Sequence, residues 1–298
     1  MKKRAVSVML TAAMVSAMLA GCGSKNAETQ SAADTTAESA VSGDETSADT
    51  QAADAETTDA ETTDASKTDG TFTVGFDQDF PPMGFVGDDG EFTGFDLEMA
   101  AEVAKRLNLT IAYQPIAWDA KDMELDAGTI DCIWNGFTMN GREDDYAWSK
   151  TYMKNNQVFV VRGDSDINSE ADLAGKNVEV QTDSSAEAAL NDNSELTSTF
   201  GSLTPVADYN TAFMDLESGA VDAIAMDDVV ASYQITSRKA DFKVLDDVIA
   251  AEEYGIGFKK GNTGLRDKVQ ATLEEMAADG TAAKISEKWF GKDITTIQ

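Results

Sequence analysis

The side chains able to do chemistry in this sequence form a narrow set, because the chain contains no histidine. That absence excludes Ser-His-Asp and Cys-His catalysis and any zinc site built on imidazole. Proton transfer or charge recognition must rely on carboxylates, Lys, Tyr, Ser or Arg. Two cysteines, Cys22 and Cys132, allow one disulfide at most. The polar residues whose spacing suggests a site follow two apolar runs: Asn135, Gly136 and Thr138 come after residues 130–134, and Asp227 with Asp228 after residues 221–224. A charge run, Gly141-Arg142-Glu143-Asp144-Asp145, lies just beyond the first. In open α/β sheets, ligands collect at the carboxyl ends of strands. Neither a metal nor a cofactor is expected.

Two matching segments would position those residues. Leu125-Asp126-Ala127-Gly128-Thr129-Ile130-Asp131-Cys132-Ile133 recurs 91 residues later as Leu216-Glu217-Ser218-Gly219-Ala220-Val221-Asp222-Ala223-Ile224. Each reads as a helix end, a glycine C-cap and a buried strand. Residues 71–298 alternate such units. A strand is predicted at 72–76, then a helix capped by Asp96 with Leu97, Ala100, Ala104 and Leu107 on one face, then a helix at 119–126 before a strand at 130–134. This βαβ rhythm predicts an α/β sheet, and two similar lobes facing one another would enclose a cleft suited to a small molecule.

Charge and the amino terminus narrow the function. The 54 acids outnumber 23 bases, a net charge of −31 that excludes nucleic-acid binding. Lys2, Lys3 and Arg4 precede an apolar stretch over 5–20, the pattern of an export signal and short for a membrane span. Leu19-Ala20-Gly21-Cys22 resembles the lipobox of bacterial lipoproteins, which implies removal of residues 1–21 and acylation of Cys22. Two acyl chains would give stable anchoring. Residues 22–70 then read as a disordered tether: from 23 onward they hold twelve acids, two lysines, no aromatics and one branched apolar residue, Val41. A coil of that length reaches roughly 35–40 Å.

Further motifs carry a family resemblance. Gly75-Phe76-Asp77-Gln78-Asp79-Phe80-Pro81-Pro82, Gly94-Phe95-Asp96-Leu97, the segment from Ile130 through Trp134-Asn135-Gly136-Phe137-Thr138, Asp279-Gly280-Thr281 and Lys288-Trp289-Phe290-Gly291 occur in that order. Residues 71–291 thereby resemble the polar amino-acid-binding proteins of ABC importers. The resemblance implies a type II periplasmic-binding-protein fold, two α/β lobes on a two-stranded hinge. The chain would cross near 158–162 and return near 252–258, with 71–162 plus 253–298 as lobe one and 163–252 as lobe two. It also implies a lipid-anchored extracytoplasmic monomer that captures a free polar amino acid by hinge closure and delivers it to an ABC permease, without enzymatic activity. Enzymes of the cyclohexadienyl dehydratase kind, which would use a cleft carboxylate as general acid, and ligand-sensing partners of membrane signalling proteins are the alternatives.

The resemblance assigns roles residue by residue. Arg142 matches the arginine that clamps the ligand carboxylate through a guanidinium fork, and Thr138 adds a hydroxyl and an N–H to that carboxylate. Asp227 matches the partner of the ligand ammonium. Phe80 and Trp118 occupy positions that sandwich the ligand side chain. Asp77 stands where family members touch the ligand's polar end, Asn135 and Gly136 would offer backbone groups, and Ser184 and Ser185 would donate from a helix start. On sequence alone each has a plainer reading: Arg142 in a solvated charge run, Asp227 as an N-cap, Phe80 and Trp118 as core, the serines as a helix beginning, Cys132 as inert core. The arginine also stands one residue closer to the threonine than is common in the family, which calls for a tight turn at Asn140-Gly141.

Overall fold

The computed structural model describes residues 70–298; the expected signal 1–21, the lipid attachment at Cys22 and the tether 22–70, its last residue excepted, lie outside the described residues. Twelve strands run in chain order: β1 (Thr71–Phe76), β2 (Asp79–Phe80), β3 (Gly84–Val86), β4 (Phe92–Thr93), β5 (Thr110–Pro115), β6 (Cys132–Thr138), β7 (Ala147–Trp148), β8 (Met153–Arg162), β9 (Asn177–Gln181), β10 (Ser202–Val206), β11 (Ala223–Asp227) and β12 (Phe242–Phe258). The α-helices are α1 (Phe95–Arg106), α2 (Lys121–Ala127), α3 (Ser185–Asp192), α4 (Ser194–Thr197), α5 (Tyr209–Ser218), α6 (Asp228–Arg238), α7 (Thr263–Ala278) and α8 (Thr281–Phe290).

Nine strands form one sheet in the order β10-β9-β11-β8-β12-β6-β1-β5, with β7 also paired to β12. At each end the pairing is parallel, β5-β1-β6 on one side and β10-β9-β11 on the other. Parallel neighbours need crossover helices, and α1, α2, α3 and α5 supply them. Between the two trios, β8 and β12 lie antiparallel, from Phe242 opposite Arg162 to Tyr254 opposite Met153, with the register shifting between Val244 and Ala250. All seven residues of β6 and all five of β11 are buried, as expected of strands covered on both faces. One core gathers Val74, Phe76, Trp134, Ile256 and Leu273; another gathers Phe159, Val161, Val178, Leu190 and Ala225.

The internal repeat folds alike in both copies. Gly128 and Gly219 end α2 and α5 in the left-handed region, at φ 73° and 80°. Thr129 N–H reaches back to Glu124 O at 3.1 Å and Ala220 N–H to Asp215 O at 2.9 Å. The aspartate of each copy then pins its strand to a neighbour. Asp131 accepts from Thr73 N–H at 2.7 Å and Asp222 from Asn177 N–H at 2.9 Å, while their own N–H groups donate to the carbonyls of Thr73 and Asn177. One strand departs from its predicted limits: the first repeat's strand begins at Cys132 and runs on to Thr138, carrying its polar end inside the sheet.

Asp96 is not a helix cap. Gly94, at φ 144°, occupies the N-cap of α1, and Asp96 turns inward from the first turn. Its Oδ2 accepts Gly136 N–H at 2.6 Å and Tyr152 O–H at 3.0 Å, tying α1 to β6 and β8. Burial pushes its carboxyl up from 3.8 to about 7. The raised folded value fixes the sign: Asp96's contribution is intact below about pH 4 and is lost as pH rises to 7. Asp96→Asn, which keeps an acceptor oxygen, should therefore remove roughly 4 kcal/mol of the stability change between pH 4 and 7.5, read from urea midpoints of variant and wild type. Equal pH slopes in the two proteins would contradict this.

Candidate functional site

The polar ends of β6 and β11 meet at a nearly closed cavity, about 10 Å³, where the β8–β12 pair joins the two halves of the sheet. Its lining brings together Phe80, Trp118, Asn135, Gly136, Thr138, Arg142, Ser184, Ser185 and Asp227, nine of the ten residues singled out for a ligand, together with Gln181. Asp77 lies outside it and lines an adjoining, wider space of about 470 Å³ with Asp79, Trp118, Asp119, Thr182 and Asp208.

Arg142 is set by the tight turn its position demands. Arg142 N–H closes on Met139 O at 2.9 Å, with Gly141 at φ 78° in the middle of the turn, a backbone angle a side chain at Cβ disfavours. The guanidinium stands over the Phe137 ring at 5.3 Å and donates to Thr138 O at 3.3 Å and Asp183 O at 3.1 Å. It is therefore held out of the solvated charge run. Asp183 adopts φ 59°, a left-handed angle aspartate tolerates better than most residues, which aims its carbonyl at Arg142. Its carboxylate pairs with the ammonium of Lys121, a residue only 1% exposed that also lies 5.3 Å from the Trp118 ring.

Asp227 occupies the N-cap position of α6, yet its carboxylate caps nothing. Oδ1 instead accepts Asn155 Nδ2–H at 2.9 Å, Gln157 Nε2–H at 2.8 Å and Tyr254 O–H at 2.5 Å. Burial raises its pKa well above the ordinary carboxylate value, and the neighbouring Glu252 carboxylate raises it further. The serines divide their roles. Ser184 Oγ accepts Glu187 N–H at 3.1 Å and so caps α3, whereas Ser185 Oγ takes Gln157 Nε2–H at 3.0 Å and Thr138 O–H at 3.2 Å. Gly136 N–H is committed to Asp96, so its backbone donor does not face the cavity; its φ of 56° and the Phe80 and Tyr254 rings, 3.1 and 3.2 Å from where a Cβ would stand, account for the glycine.

Asp77 accepts Asp79 N–H at 2.8 Å and Gln181 Nε2–H at 2.6 Å, while its own N–H donates to Asn135 Oδ1 at 3.0 Å. Burial lifts its carboxyl to about 6. Cys132 is fully buried, with its thiol pushed up by burial, which matches inert core. Sequence reasoning did not find Lys121, Asn155, Gln157, Gln181, Glu252 or Tyr254. A signal existed for four of them: Asn155 with Gln157, and Glu252 with Tyr254, are spaced two apart in paired strands and so share a face.

A sheet built from two parallel βα units, hinged on two long strands with a polar cavity at the junction, defines a small-molecule binding protein of the type II periplasmic fold. The chain belongs to the bacterial extracellular solute-binding proteins, family 3, whose model matches residues 72–292. The L-cystine-binding protein TcyJ of Escherichia coli (strain K12) is 33% identical over 228 residues, covering 76% of this chain and 84% of that protein. The L-cystine-binding protein TcyA of Bacillus subtilis (strain 168) is 32% identical, covering 75% and 82%. Among solved structures, an ABC uptake transporter substrate-binding protein from Streptococcus pneumoniae with bound histidine superposes with a TM-score of 0.74 at 35% identity, over 76% of this chain and 95% of that one. An ancestral arginine-binding protein bound to arginine gives 0.69 at 36% identity, over 74% and 99%. These relatives are named for the solutes they bind, as is the family to which this chain belongs.

Contacts across the cavity hold the two halves together: Arg142 and Lys121 reach Asp183, Thr138 reaches Ser185, Gln181 reaches Asp77 and Asn210 reaches Asp79. The Lys121 pair, half-exposed at Asp183, is worth roughly 1 kcal/mol of closure. Lys121→Met should shift the ligand-free protein toward an open form, seen as a larger radius of gyration by small-angle X-ray scattering. An unchanged radius would show that this pair does not hold the cleft shut.

Proposed function

We propose that this protein is a receptor that captures an amino acid between two lobes and passes it to an ABC permease. The observation that carries the reading is the convergence of Arg142 and Asp227 on one cavity from opposite halves of the sheet. A zwitterion needs its carboxylate met by a planar cation and its ammonium by a carboxylate, and both needs are fulfilled at once only when the halves approach. That difference between open and closed contacts is what drives hinge closure. Thr138, Ser185, Asn135 and Gly136 are assigned to the polar frame of the ligand, Ser184 to the loop that carries it, and Phe80 with Trp118 to the side chain.

The lobes are assigned to 71–162 with 253–298 and to 163–252. The pairing of β8 with β11 from Gln157 onward supports a crossing near residues 155–157, slightly ahead of the position expected from sequence. L-Cystine is the first cargo to test, since curated relatives from two organisms carry that name. The adjoining space lined by Asp77, Asp79, Asp119 and Asp208 favours a ligand with a second ammonium. Asp77 acts there through its bond to Gln181. Acylation at Cys22 would tether the monomeric receptor to the outer face of the cell membrane; among the described residues no helix is long and apolar enough to cross it.

The test is a thermal shift of residues 70–298, refolded to strip carried-over ligand, against L-cystine and the twenty amino acids. Ligand at 100 times its Kd stabilises by about 2.7 kcal/mol, a shift of several degrees. Arg142→Ala and Asp227→Ala should each cost at least ~3 kcal/mol of binding, because a desolvated charge is left without its partner. Binding within tenfold of wild type would remove that residue from its assigned role.

A further inference from the structure

Beneath the cavity, Asp227 does not stand alone. Glu252 lies on β12, directly opposite Asn155 of β8, and Asp227 lies on β11, directly opposite Gln157 of the same strand. The two amides bind both carboxylates. Asn155 Nδ2 donates to Asp227 Oδ1 at 2.9 Å and to Glu252 Oε1 at 2.6 Å; Gln157 Nε2 donates to the same two oxygens at 2.8 and 2.7 Å. The carboxylates are thus a single nitrogen apart, and they are only 4% and 5% exposed. Among the described residues neither forms an ion pair with a cation.

The groups around the pair do not relieve it. Tyr254 donates to Asp227 from β12, Tyr209 of α5 is neutral, and Asp77, from the loop after β1, and Asp228, at the head of α6, add negative charge. Arg142, which lines the same cavity, is bonded to Thr138 O and Asp183 O instead. A buried carboxyl such as Asp227, with a second carboxylate beside it and no cation, keeps its proton more readily than one in water.

We propose that Asp227 holds a proton while the cleft is empty, and that a ligand's ammonium displaces this proton to solvent on binding, with the Glu252 carboxylate, bound to the same two amides, as the positioning residue that sets the exchange. The inference rests on the receptor reading, in which Asp227 meets the ammonium. The step balances: the carboxyl O–H breaks, the proton leaves to water or buffer, and the ammonium keeps its own three protons as it pairs with the carboxylate. Burial, the first cause of Asp227's raised pKa, and Glu252, the second, act in the same direction. Linkage then fixes the pH dependence. While Asp227 is protonated in the empty cleft each binding event must expel a proton, so affinity rises about tenfold per pH unit; once it is ionised the affinity is flat.

The first measurement needs no ligand. Difference infrared spectra of the empty protein at pH 7, wild type against Asp227→Asn, should show a protonated-carboxyl C=O band in wild type that the variant lacks. No such band overturns the proposal. The second is titration calorimetry with L-cystine at pH 7 in phosphate, HEPES and Tris, whose different ionisation enthalpies report the protons exchanged. About one proton should be released by wild type and measurably fewer by Glu252→Gln, whose amide keeps the volume and polarity of the site. Tight binding with no proton released by wild type, or equal release by both proteins, overturns the proposal. A protein that shows the band yet binds neither L-cystine nor any other amino acid overturns the receptor reading and leaves the proton on Asp227 standing.

Discussion

The antiparallel pairing of β8 with β12 is the constraint on which the rest depends. Among the described residues these two strands form the backbone ladder between the parallel trios, β8 pairing with one and β12 with the other. Alternation along the segments 155–157 and 252–254 sends Asn155 with Gln157, and Glu252 with Tyr254, to the place where the halves meet. At that place a polar residue is enclosed by sheet on both sides and loses its water. The sequence answers with amides: Asn155 and Gln157 supply donors that stay neutral, so each carboxylate opposite them is satisfied without a fixed counter-charge. A lysine in either position would neutralise Asp227 permanently and leave nothing for an incoming ammonium to gain.

The loops that complete the cavity obey a different requirement, which is backbone angle. Gly141 and Asp183 take left-handed φ values, 78° and 59°, and both serve Arg142: the first closes the turn that lifts its Cα toward the cleft, the second presents the carbonyl that receives its fork. Gly136 takes such an angle for packing, under the Phe80 and Tyr254 rings. The cavity is thus shaped by strand alternation at its base and by turn geometry at its rim. Ser184 shows how the two meet: as N-cap of α3 it is spent on the helix, which frees Ser185, one residue on, to bridge Thr138 and Gln157.

Much of this was legible in the residues. The repeated L-x-x-G-x-(I/V)-D-x-I pattern identified the helix exits, the glycine caps and the two strands whose ends form the site, because each of those features is local in sequence. The role of its aspartate was not legible, since the N–H groups it pins belong to Thr73 and Asn177, tens of residues away. Asp96 was misread as a cap for a related reason: a carboxylate beside a helix start satisfies the local rule, and only the fold brings Gly136 N–H and Tyr152 O–H within its reach. Glu252 escaped because alternation tells which residues share a face but not which face lies inward. That depends on the sheet order, where β12, late in the chain, sits between β8 and β6.

Charge accounting gives the site its coherence. The folded part of the chain is strongly acidic, with 42 acids against 18 bases over 71–298, yet surface charge is screened within about 8–10 Å and says little about an enclosed cavity. What matters there is the local balance. A zwitterion carries one charge of each sign, so what counts is what each end meets. In the proposed receptor Arg142 meets the carboxylate, in place of the backbone carbonyls it now binds. A buried carboxylate with no cation beside it costs several kcal/mol. In the proposed exchange a proton relieves that cost at Asp227 in the empty cleft, the ligand's ammonium takes the proton's place on binding, and the ladder between β8, β11 and β12 holds Glu252 close enough to set the balance.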